Sequence, residues 1–298
     1  MSHYPFLTEL EPNSFVGKNI YAVFGNPIGH SKSPLIHEEF AIQTQQEIDY
    51  LRIQPPLDGF ATMLTRFFAL GGQGANVTIP FKLDAYQLCK QLTTRARLAG
   101  AVNTVWQKDG VLCGDNTDGA GLVADLLSQG VAIHGADALI LGAGGASRGI
   151  LEPLLHQKPN RIWIANRTAQ KAHELVSIFQ SLATEHGIEL MASSIAQLED
   201  QATPAFSLVI NSSAAGLEDQ SPLSILAADH VFCTGGFAYD LVYGKTTVFM
   251  EQALQRGCRV SDGLGMLVEQ AAIAFSQWRQ VDIKNLDTRA VVAKLRHA

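Results

Sequence analysis

Apolar segments of strand length alternate with helix-like segments through the second half of the chain, and this rhythm limits the possible folds more than any other feature. The predicted strands are Ala138–Leu141, Arg161–Ala165, Leu208–Asn211 and Phe237–Leu241, and the predicted helices are Gly119–Ser128, Ser147–His156 and Ala169–Phe179. Strands separated by helices pair in parallel through right-handed crossovers. We therefore predict the α/β class, with a Rossmann-like doubly wound parallel sheet over residues 119–262.

The first 118 residues predict a second α/β domain. The predicted strands are Ile20–Gly25 and Ala75–Pro80, and the predicted hairpin joins Ala101–Trp106 to Val111–Cys113 around Asp109-Gly110. Ser33 is the predicted N-cap of a helix that has Pro34 in its first turn. A chain of 298 residues favours two domains. The last helices, Gly263–Trp278 and Asp287–Arg296, are expected to return to the first domain. We predict a discontinuous substrate domain, 1–118 plus 263–298, a cofactor domain, 119–262, and a cleft between them.

Composition excludes several classes of partner. The net charge is −6 and no basic stripe is visible, so we expect no nucleic-acid partner. No segment approaches the about 20 apolar residues of a membrane span, and residues 1–18 resemble neither a secretory signal nor a transit peptide. The 4 cysteines lie far apart without a C-x-x-C pair. We therefore predict a cytoplasmic protein with reduced thiols and no metal site.

A glycine-rich turn joins a predicted strand to a predicted helix in the segment ALILGAGGASRG. Glycines there let backbone N–H groups approach a pyrophosphate, and the helix N-terminus adds partial positive charge. Ser147 occupies the position of the third glycine of the dinucleotide fingerprint. The turn therefore predicts a dinucleotide site, although a glycine turn without a ligand is the alternative.

The end of the next strand indicates which dinucleotide. An NAD-binding chain carries an acidic residue about 20 positions after the turn, for the ribose hydroxyls. Here Asn166-Arg167-Thr168 begins 24 residues after Gly142, and Lys171 follows one helical turn later. Arginine binds a 2′-phosphate through paired charge-assisted hydrogen bonds. We predict NADP, the alternative being that Arg167 is a solvated residue at a helix start.

Hydroxyl, amide and charged residues cluster in the first domain. Ser31 and Ser33 flank Lys32 where a helix begins, which predicts a small carboxylate site; helix capping by Ser33 is the alternative. Strand alternation puts Asn76 and Thr78 on one face, with Lys82 just beyond. Asn103 and Asp118 lie in the motifs GAVNTVW and GDNTDG, and Gln270 lies in an apolar helix where it must find polar partners. Together they predict a pocket for a small polyol beside a Lys–Asp pair.

These motifs give the chain a specific resemblance. From Tyr21 to Trp278 it resembles the bacterial shikimate dehydrogenases, through YAVFGNPIGHSKSP, GANVTIPFK, LAGAVNT, GDNTDG, GAGGASRG, NRT and DGLGMLVEQA, in the family's order. The resemblance implies NADPH-dependent, reversible reduction of 3-dehydroshikimate to shikimate in aromatic amino acid biosynthesis. For the assembly we expect a monomer or a homodimer.

Carried over position by position, the resemblance assigns each site residue a role. The catalytic pair would be Lys82 and Asp118. The substrate-binding residues would be Ser31, Ser33, Asn76, Thr78, Asn103, Tyr243 and Gln270. The NADP-binding residues would be Gly142, Ala143, Gly144, Gly145, Ala146, Asn166, Arg167, Thr168, Lys171, Leu241 and Gly263.

Three other functions compete with this interpretation. The nearest is a quinate/shikimate dehydrogenase that uses NAD, although in that group an acidic residue often replaces the arginine of NRT. The second is a non-catalytic NADP-binding regulatory module, which would have no use for Lys82 and Asp118. The third, a folate-linked dehydrogenase of similar two-domain plan, finds no support in the motifs.

Overall fold

A computed structural model describes residues 6–11, 15–200 and 202–297. The prediction that residues 1–18 resemble neither a secretory signal nor a transit peptide falls partly on residues 1–5 and 12–14, which lie outside the described residues. The strands are β1 (Phe6–Leu7), β2 (Ile20–Phe24), β3 (Asp49–Ile53), β4 (Gly74–Val77), β5 (Gln91–Leu92), β6 (Thr104–Lys108), β7 (Val111–Asp115), β8 (Asp137–Leu141), β9 (Arg161–Asn166), β10 (Glu189–Ser194), β11 (Phe206–Asn211), β12 (Phe232–Asp240) and β13 (Arg259–Asp262). The helices are α1 (Ser33–Gln43), α2 (Phe60–Ala69), α3 (Lys82–Leu88), α4 (Thr94–Ala99), α5 (Asp118–Ser128), α6 (Gly145–His156), α7 (Ala169–His186), α8 (Ile225–Val231), α9 (Val248–Gln255), α10 (Leu264–Arg279) and α11 (Thr288–Arg296).

The chain divides into two compact units. The first unit contains Met1–Thr117 and Val268–Ala298, and the second contains Asp118–Leu267. The first unit is built on a mixed sheet in the order β1-β3-β2-β4-β6-β7-β5. Its strands β1 to β4 run parallel, and β6 pairs antiparallel with both β4 and β7. Asp109 and Gly110 both have positive φ at the hairpin turn, as a two-residue connection of this twist requires.

Aromatic residues form the core beside this sheet. Helix α2 buries Phe60, Leu64, Phe67 and Phe68, a spacing that places them on one helical face. Phe24 of β2 packs edge-on against Phe60 and Phe67. Of the predicted substrate residues, Ser31 and Ser33 follow the carboxyl end of β2, Thr78 follows that of β4, and Asn76 lies within β4.

Two local expectations for this unit are wrong in detail. Strand β4 ends at Val77 instead of Pro80: Val77 is buried, whereas Ile79, beyond the strand, is 71% exposed. The N-cap of α1 is Lys32, and no side chain caps the helix. Ser33 therefore has its hydroxyl available for other partners.

The second unit has a six-stranded sheet in the order β10-β9-β8-β11-β12-β13, with every neighbouring pair parallel. Counted within the unit, this is the doubly wound order 3-2-1-4-5-6. The predicted fold class is confirmed. The strand order reverses between β8 and β11, and ligands of such sheets bind outside the carboxyl ends of the strands at that point.

Within the described part of the chain, no helix combines the length and the apolar character needed to cross a bilayer.

Candidate active site

The two predicted carboxylate-binding serines are hydrogen-bonded to each other before helix α1. The Ser33 backbone N–H donates to Ser31 Oγ at 3.3 Å, and the Ser31 and Ser33 hydroxyls lie 3.2 Å apart. The alternative of helix capping by Ser33 is therefore wrong, because no side chain caps α1 and Ser31 Oγ accepts the hydrogen bond from the Ser33 N–H. The pair presents two hydroxyl groups at the start of the helix.

A buried arginine lies behind this pair and was not found from the sequence. Arg52 is 8% exposed, and its Nε and Nη2 both donate to the Ser31 carbonyl oxygen, at 3.1 and 2.5 Å. A guanidinium group fixes geometry well because its donors form a rigid planar fork. Arg52 occupies an ordinary alternating position in the strand IDYLRI, which explains why the pattern gave no signal for it.

Asn76 is the centre of a buried hydrogen-bond network. Its Oδ1 accepts from the Tyr50 hydroxyl at 2.6 Å and lies 3.1 Å from His37 Nε2. Its Nδ2 donates to the Asn103 carbonyl and to Thr104 Oγ1, both at 3.3 Å. Because the Asn103 carbonyl can only accept, the orientation of the Asn76 amide is fixed.

Tyr50 and His37 connect this amide to the serines and to the aromatic core. Burial raises the pKa of Tyr50 well above its usual value, while a hydrogen bond from Ser33 opposes the shift. Burial lowers the pKa of His37 to about 3. The His37 ring stacks on Tyr50, with centroids 4.3 Å apart, and on Trp278, at 5.3 Å. His37 is therefore a neutral donor to Asn76 near neutral pH.

Asn103 and Gln270 extend the same network. Asn103 Nδ2 donates to Gln270 Oε1 at 3.2 Å and to Thr117 Oγ1 at 3.0 Å, and Asn103 Oδ1 accepts the Thr117 backbone N–H at 2.8 Å. Gln270 is 7% exposed and its Oε1 accepts from Asn103 Nδ2 and Thr117 Oγ1, so the expectation that it must find polar partners is confirmed. The first unit therefore joins Ser33, Asn76, Asn103 and Gln270 through shared partners.

Thr78 and Lys82 lie just beyond the end of β4. The Thr78 backbone N–H donates to the Phe24 carbonyl at 2.8 Å, and its side chain is half-buried. Lys82 is the first residue of α3, and its carbonyl accepts the Val102 N–H at 2.9 Å. This bond ties the base of the lysine to the segment that carries Asn103.

The glycine turn of the second unit is open on the side away from the sheet. Gly142 has a φ of 111°, a conformation that favours glycine. A Cβ placed on Gly144 or Gly145 would have no atom within 4 Å, and the N-cap Gly144 gives helix α6 no side-chain acceptor. Exposed backbone donors at an uncapped helix start fit the pyrophosphate that the sequence predicts.

The adenosine end of the predicted site follows β9. Asn166 Nδ2 donates to the Thr168 carbonyl at 2.9 Å, which shapes the loop before α7. Arg167 and Lys171 are exposed, and Arg167 forms no ion pair with any described residue. No carboxylate replaces Arg167 at this strand end, so the arrangement suits a phosphate and not a bare ribose.

The remaining predicted residues of this unit lie at the ends of β12 and β13, and at the start of α5. The Gly263 N–H donates to the Val242 carbonyl at 3.1 Å, and a Cβ on Gly263 would lie 2.2 Å from the Leu241 carbonyl oxygen. Only glycine permits this close approach. Tyr243 is 36% exposed, and Asp118 is the half-buried first residue of α5.

Metal ligation finds no support in the part of the chain that the structure describes, since no group of His, Cys, Asp or Glu side chains there could hold an ion. The four cysteines are free thiols.

Family models match three segments of the chain. Residues 23–105 match a shikimate dehydrogenase substrate binding domain, residues 125–214 match shikimate / quinate 5-dehydrogenase, and residues 263–284 match a shikimate 5'-dehydrogenase C-terminal domain.

Whole-chain relatives agree with these matches. The chain is 46% identical over 295 residues to a shikimate dehydrogenase (NADP(+)) from Cupriavidus taiwanensis, covering 98% of each protein. It is similar in structure to an Ael1 enzyme from Pseudomonas putida, with a TM-score of 0.83 and 40% identity over 93% of this chain and 98% of that one. It is also similar to a shikimate 5-dehydrogenase from Thermus thermophilus, solved with NADP(H) and shikimate, with a TM-score of 0.76 and 31% identity over 93% and 99%. The chain belongs to the shikimate dehydrogenase family.

Proposed function

We propose that this chain catalyses the reversible, NADPH-dependent reduction of 3-dehydroshikimate to shikimate. The observation that carries the proposal is the buried network of the first unit, in which Asn76, Asn103 and Gln270 hold one another in fixed orientations. Amides fixed in this way recognise substrate hydroxyls with little loss of conformational entropy on binding. Family membership supports the same reaction.

The substrate is an anion with several hydroxyl groups, and the first unit offers complementary groups for both features. Ser31 and Ser33 receive the carboxylate, with Tyr243 as a further donor. Asn76, Thr78, Asn103 and Gln270 surround the ring hydroxyls. Because the chain carries a net charge of −6, the carboxylate must be held by such local donors and not by the overall field.

Residues of the second unit hold the cofactor. Gly142 to Ala146 bind its pyrophosphate, Asn166, Arg167, Thr168 and Lys171 its 2′-phosphate, and Leu241 and Gly263 border its nicotinamide. Bound NADPH supplies the hydride that reduces the substrate ketone.

Lys82 and Asp118 carry the proton in this mechanism. Reduction of a ketone builds negative charge on its oxygen, and a positioned acid stabilises that charge. Lys82 Nζ donates the proton to this oxygen, and Asp118 orients the ammonium group. In the oxidation direction, Lys82 Nζ takes the proton back from the substrate hydroxyl.

The experiment is a matrix of shikimate and quinate against NADP and NAD on purified protein, followed by absorbance at 340 nm. We expect shikimate with NADP to be the preferred pair by at least about tenfold in kcat/KM, which corresponds to about 1.4 kcal/mol. A preference for quinate with NAD would favour the rival dehydrogenase. NADP binding without turnover of either acid would favour the regulatory module.

Two variants assign the roles within this reaction. Lys82→Ala is expected to lower kcat by about 10²- to 10⁴-fold with a modest change in KM, the usual range for general acid–base catalysis. Arg167→Ala is expected to weaken the binding of NADP by about 1.5–3 kcal/mol, the scale of hydrogen bonds to charged groups. The binding of NAD should be nearly unchanged. Lys90→Ala, which removes one exposed charge from the first unit, is the control. Wild-type kcat in the lysine variant would remove Lys82 from the mechanism.

We also propose a cytoplasmic location, which the free thiols support. A monomer or homodimer remains the prediction for the assembly.

A further inference from the structure

Two serine hydroxyls tie together the loops on either side of the strand-order reversal in the second unit. Ser147 lies in the first turn of α6, after β8, and Ser212 follows β11. Their Oγ atoms are 2.7 Å apart, and Ser147 is fully buried. Neither residue belongs to the set of site residues that the sequence predicts.

The direction of this hydrogen bond follows from its neighbours. Ser212 Oγ donates to the Leu141 carbonyl at 2.8 Å, and a carbonyl oxygen can only accept. The single hydroxyl proton of Ser212 is therefore used, so Ser147 donates to Ser212. The result is a relay from α6 through the β11 loop to the last residue of β8.

The relay ends at the carbonyl of Leu141, the residue directly before the glycine turn. The Leu141 carbonyl already accepts the Ser212 backbone N–H at 2.9 Å, which is the last bond of the β8–β11 ladder, and the hydroxyl adds a second donor. A Cβ on Gly142, the next residue, would lie 3.0 Å from Ser212 Oγ. Ser212 thus closes one side of the turn, whereas the side at Gly144 and Gly145 is open.

We propose that Ser147 and Ser212 are positioning residues for the cofactor: their relay fixes the turn whose backbone N–H groups receive the pyrophosphate. The inference rests on the proposed function, in which that turn binds NADP. It also explains the departure from the dinucleotide fingerprint. The third glycine ordinarily lets helix and strand pack closely, whereas here Ser147 links the helix through Ser212 to the Leu141 carbonyl of β8.

The test is the equilibrium dissociation constant of NADP, measured by calorimetry without substrate, for Ser147→Ala, Ser147→Gly, Ser212→Ala and the double alanine variant. Each single variant should bind NADP about three- to tenfold more weakly, the scale of one net hydrogen bond. The double alanine variant should be little weaker than either single one, because both changes break the same relay. Ser212→Thr keeps the hydroxyl and should recover most of the affinity.

A second readout separates positioning from general destabilisation. Amide hydrogen exchange of residues 142–147 in the cofactor-free protein should be faster in the alanine variants. Ser261→Ala is the matched control, because this buried serine of the same unit also accepts a hydrogen bond, from Gln129 Nε2 at 3.0 Å. It should lower thermal stability without changing the affinity for NADP.

The outcomes distinguish this inference from the function beneath it. A wild-type protein that binds no NADP would overturn the proposed function and the inference with it. A wild-type protein that binds NADP, with Ser147→Gly and Ser212→Ala binding within about twofold of it, would overturn the inference alone. Weakened binding that is fully additive in the double variant would also overturn the relay.

Discussion

Two aspartates of the segment GDNTDG, three positions apart, illustrate how little residue type says about role. Asp115 is 6% exposed and accepts a fork from Arg95 Nε and Nη2, at 2.7 and 2.5 Å. It also accepts from Thr93 Oγ1 at 2.6 Å and from the Asn116 N–H at 2.7 Å. A carboxylate with this many donors is a structural group. Asp118, by contrast, begins a helix and is half-buried.

Asp115→Asn should therefore lower the free energy of unfolding by about 3–5 kcal/mol, because it leaves Arg95 partly buried without its charge partner. Urea unfolding at neutral pH measures the change. Asp229→Asn is the matched control, since Asp229 pairs with Arg256 while its own side chain is 56% exposed, and exposed pairs contribute about 0–1 kcal/mol. Equal losses in the two variants would contradict the assignment of Asp115 to the core.

His37 predicts a pH dependence of stability at the same scale. Burial lowers the pKa of His37 to about 3 in the folded protein, against 6.5 for an ordinary histidine. The unfolded chain therefore binds a proton that the folded chain rejects, and stability falls as pH drops from about 6.5 towards 3. Above pH 6.5 both states hold neutral histidine and the penalty is absent.

Comparison with His37→Gln isolates this contribution, because the carboxylates titrate alike in both proteins. Glutamine keeps a donor for Asn76 but cannot take up a proton in this range. Between pH 7 and pH 4.5, the wild type should lose about 2–3 kcal/mol more unfolding free energy than the variant, at about 1.36 kcal/mol per pH unit. Parallel curves would show that His37 titrates normally.

At the scale of elements, the start of helix α10 is fixed by close packing. The Tyr239 hydroxyl donates to Asp125 Oδ2 at 2.7 Å and accepts the Met266 N–H at 3.2 Å. A Cβ on Gly265 would lie 2.1 Å from Asp125 Oδ1. Because hydrogen bonds from Tyr239 and Gln129 restrain that carboxylate, it cannot simply move aside.

Two glycine variants separate packing from ligand approach. Gly265→Ala should cost about 1–3 kcal/mol of unfolding free energy, the usual penalty for overpacking. Gly145→Ala should leave stability unchanged or slightly raised, because its Cβ meets no atom within 4 Å and alanine favours a helix. Gly145→Ala should nevertheless weaken the binding of NADP, because the new methyl group occupies the open side of the turn. Thermal unfolding of both variants measures the change in stability, and NADP titration measures the change in affinity. A Gly265→Ala variant as stable as the wild type would contradict the packing argument.

Elements with strong periodicity were predictable from the sequence, and their ends were not. The hairpin around Asp109-Gly110 and the strands of the second sheet follow from turn chemistry and apolar runs. Helix α7 continues to His186, beyond the predicted end at Phe179, because Gly187 with a φ of 70° is what ends it. The prediction of Ser33 as an N-cap is wrong, because sequence spacing cannot show that the Ser33 N–H donates to Ser31 Oγ.

At the scale of the whole molecule, the sequence predicts the second sheet better than the first. Every strand of the second sheet is parallel to its neighbours, so the order of strands and helices along the chain nearly dictates its topology. The first sheet mixes directions, and pairing β4 with β6 depends on long-range contacts that local patterns do not encode. The same reason hides Arg52 and Tyr50, which gain their roles only from neighbours distant in sequence.

The two units also differ in how they can fold. The second unit is one continuous segment, 118–267, with its own sheet, whereas the first needs residues 268–298. Trp278 of that returning segment stacks on Tyr21 at 5.1 Å and on His37 at 5.3 Å, so a fragment ending at 117 would expose both rings. We therefore expect fragment 118–267 to unfold cooperatively, and fragment 1–117 to show no cooperative transition. At about 100 times its dissociation constant, NADP should stabilise fragment 118–267 by about 2.7 kcal/mol and raise its midpoint by about 5–10 °C. Differential scanning calorimetry of both fragments measures these transitions. A cooperative transition in fragment 1–117 would contradict its need for residues 268–298. A midpoint of fragment 118–267 that does not change with NADP would contradict cofactor binding by the second unit alone.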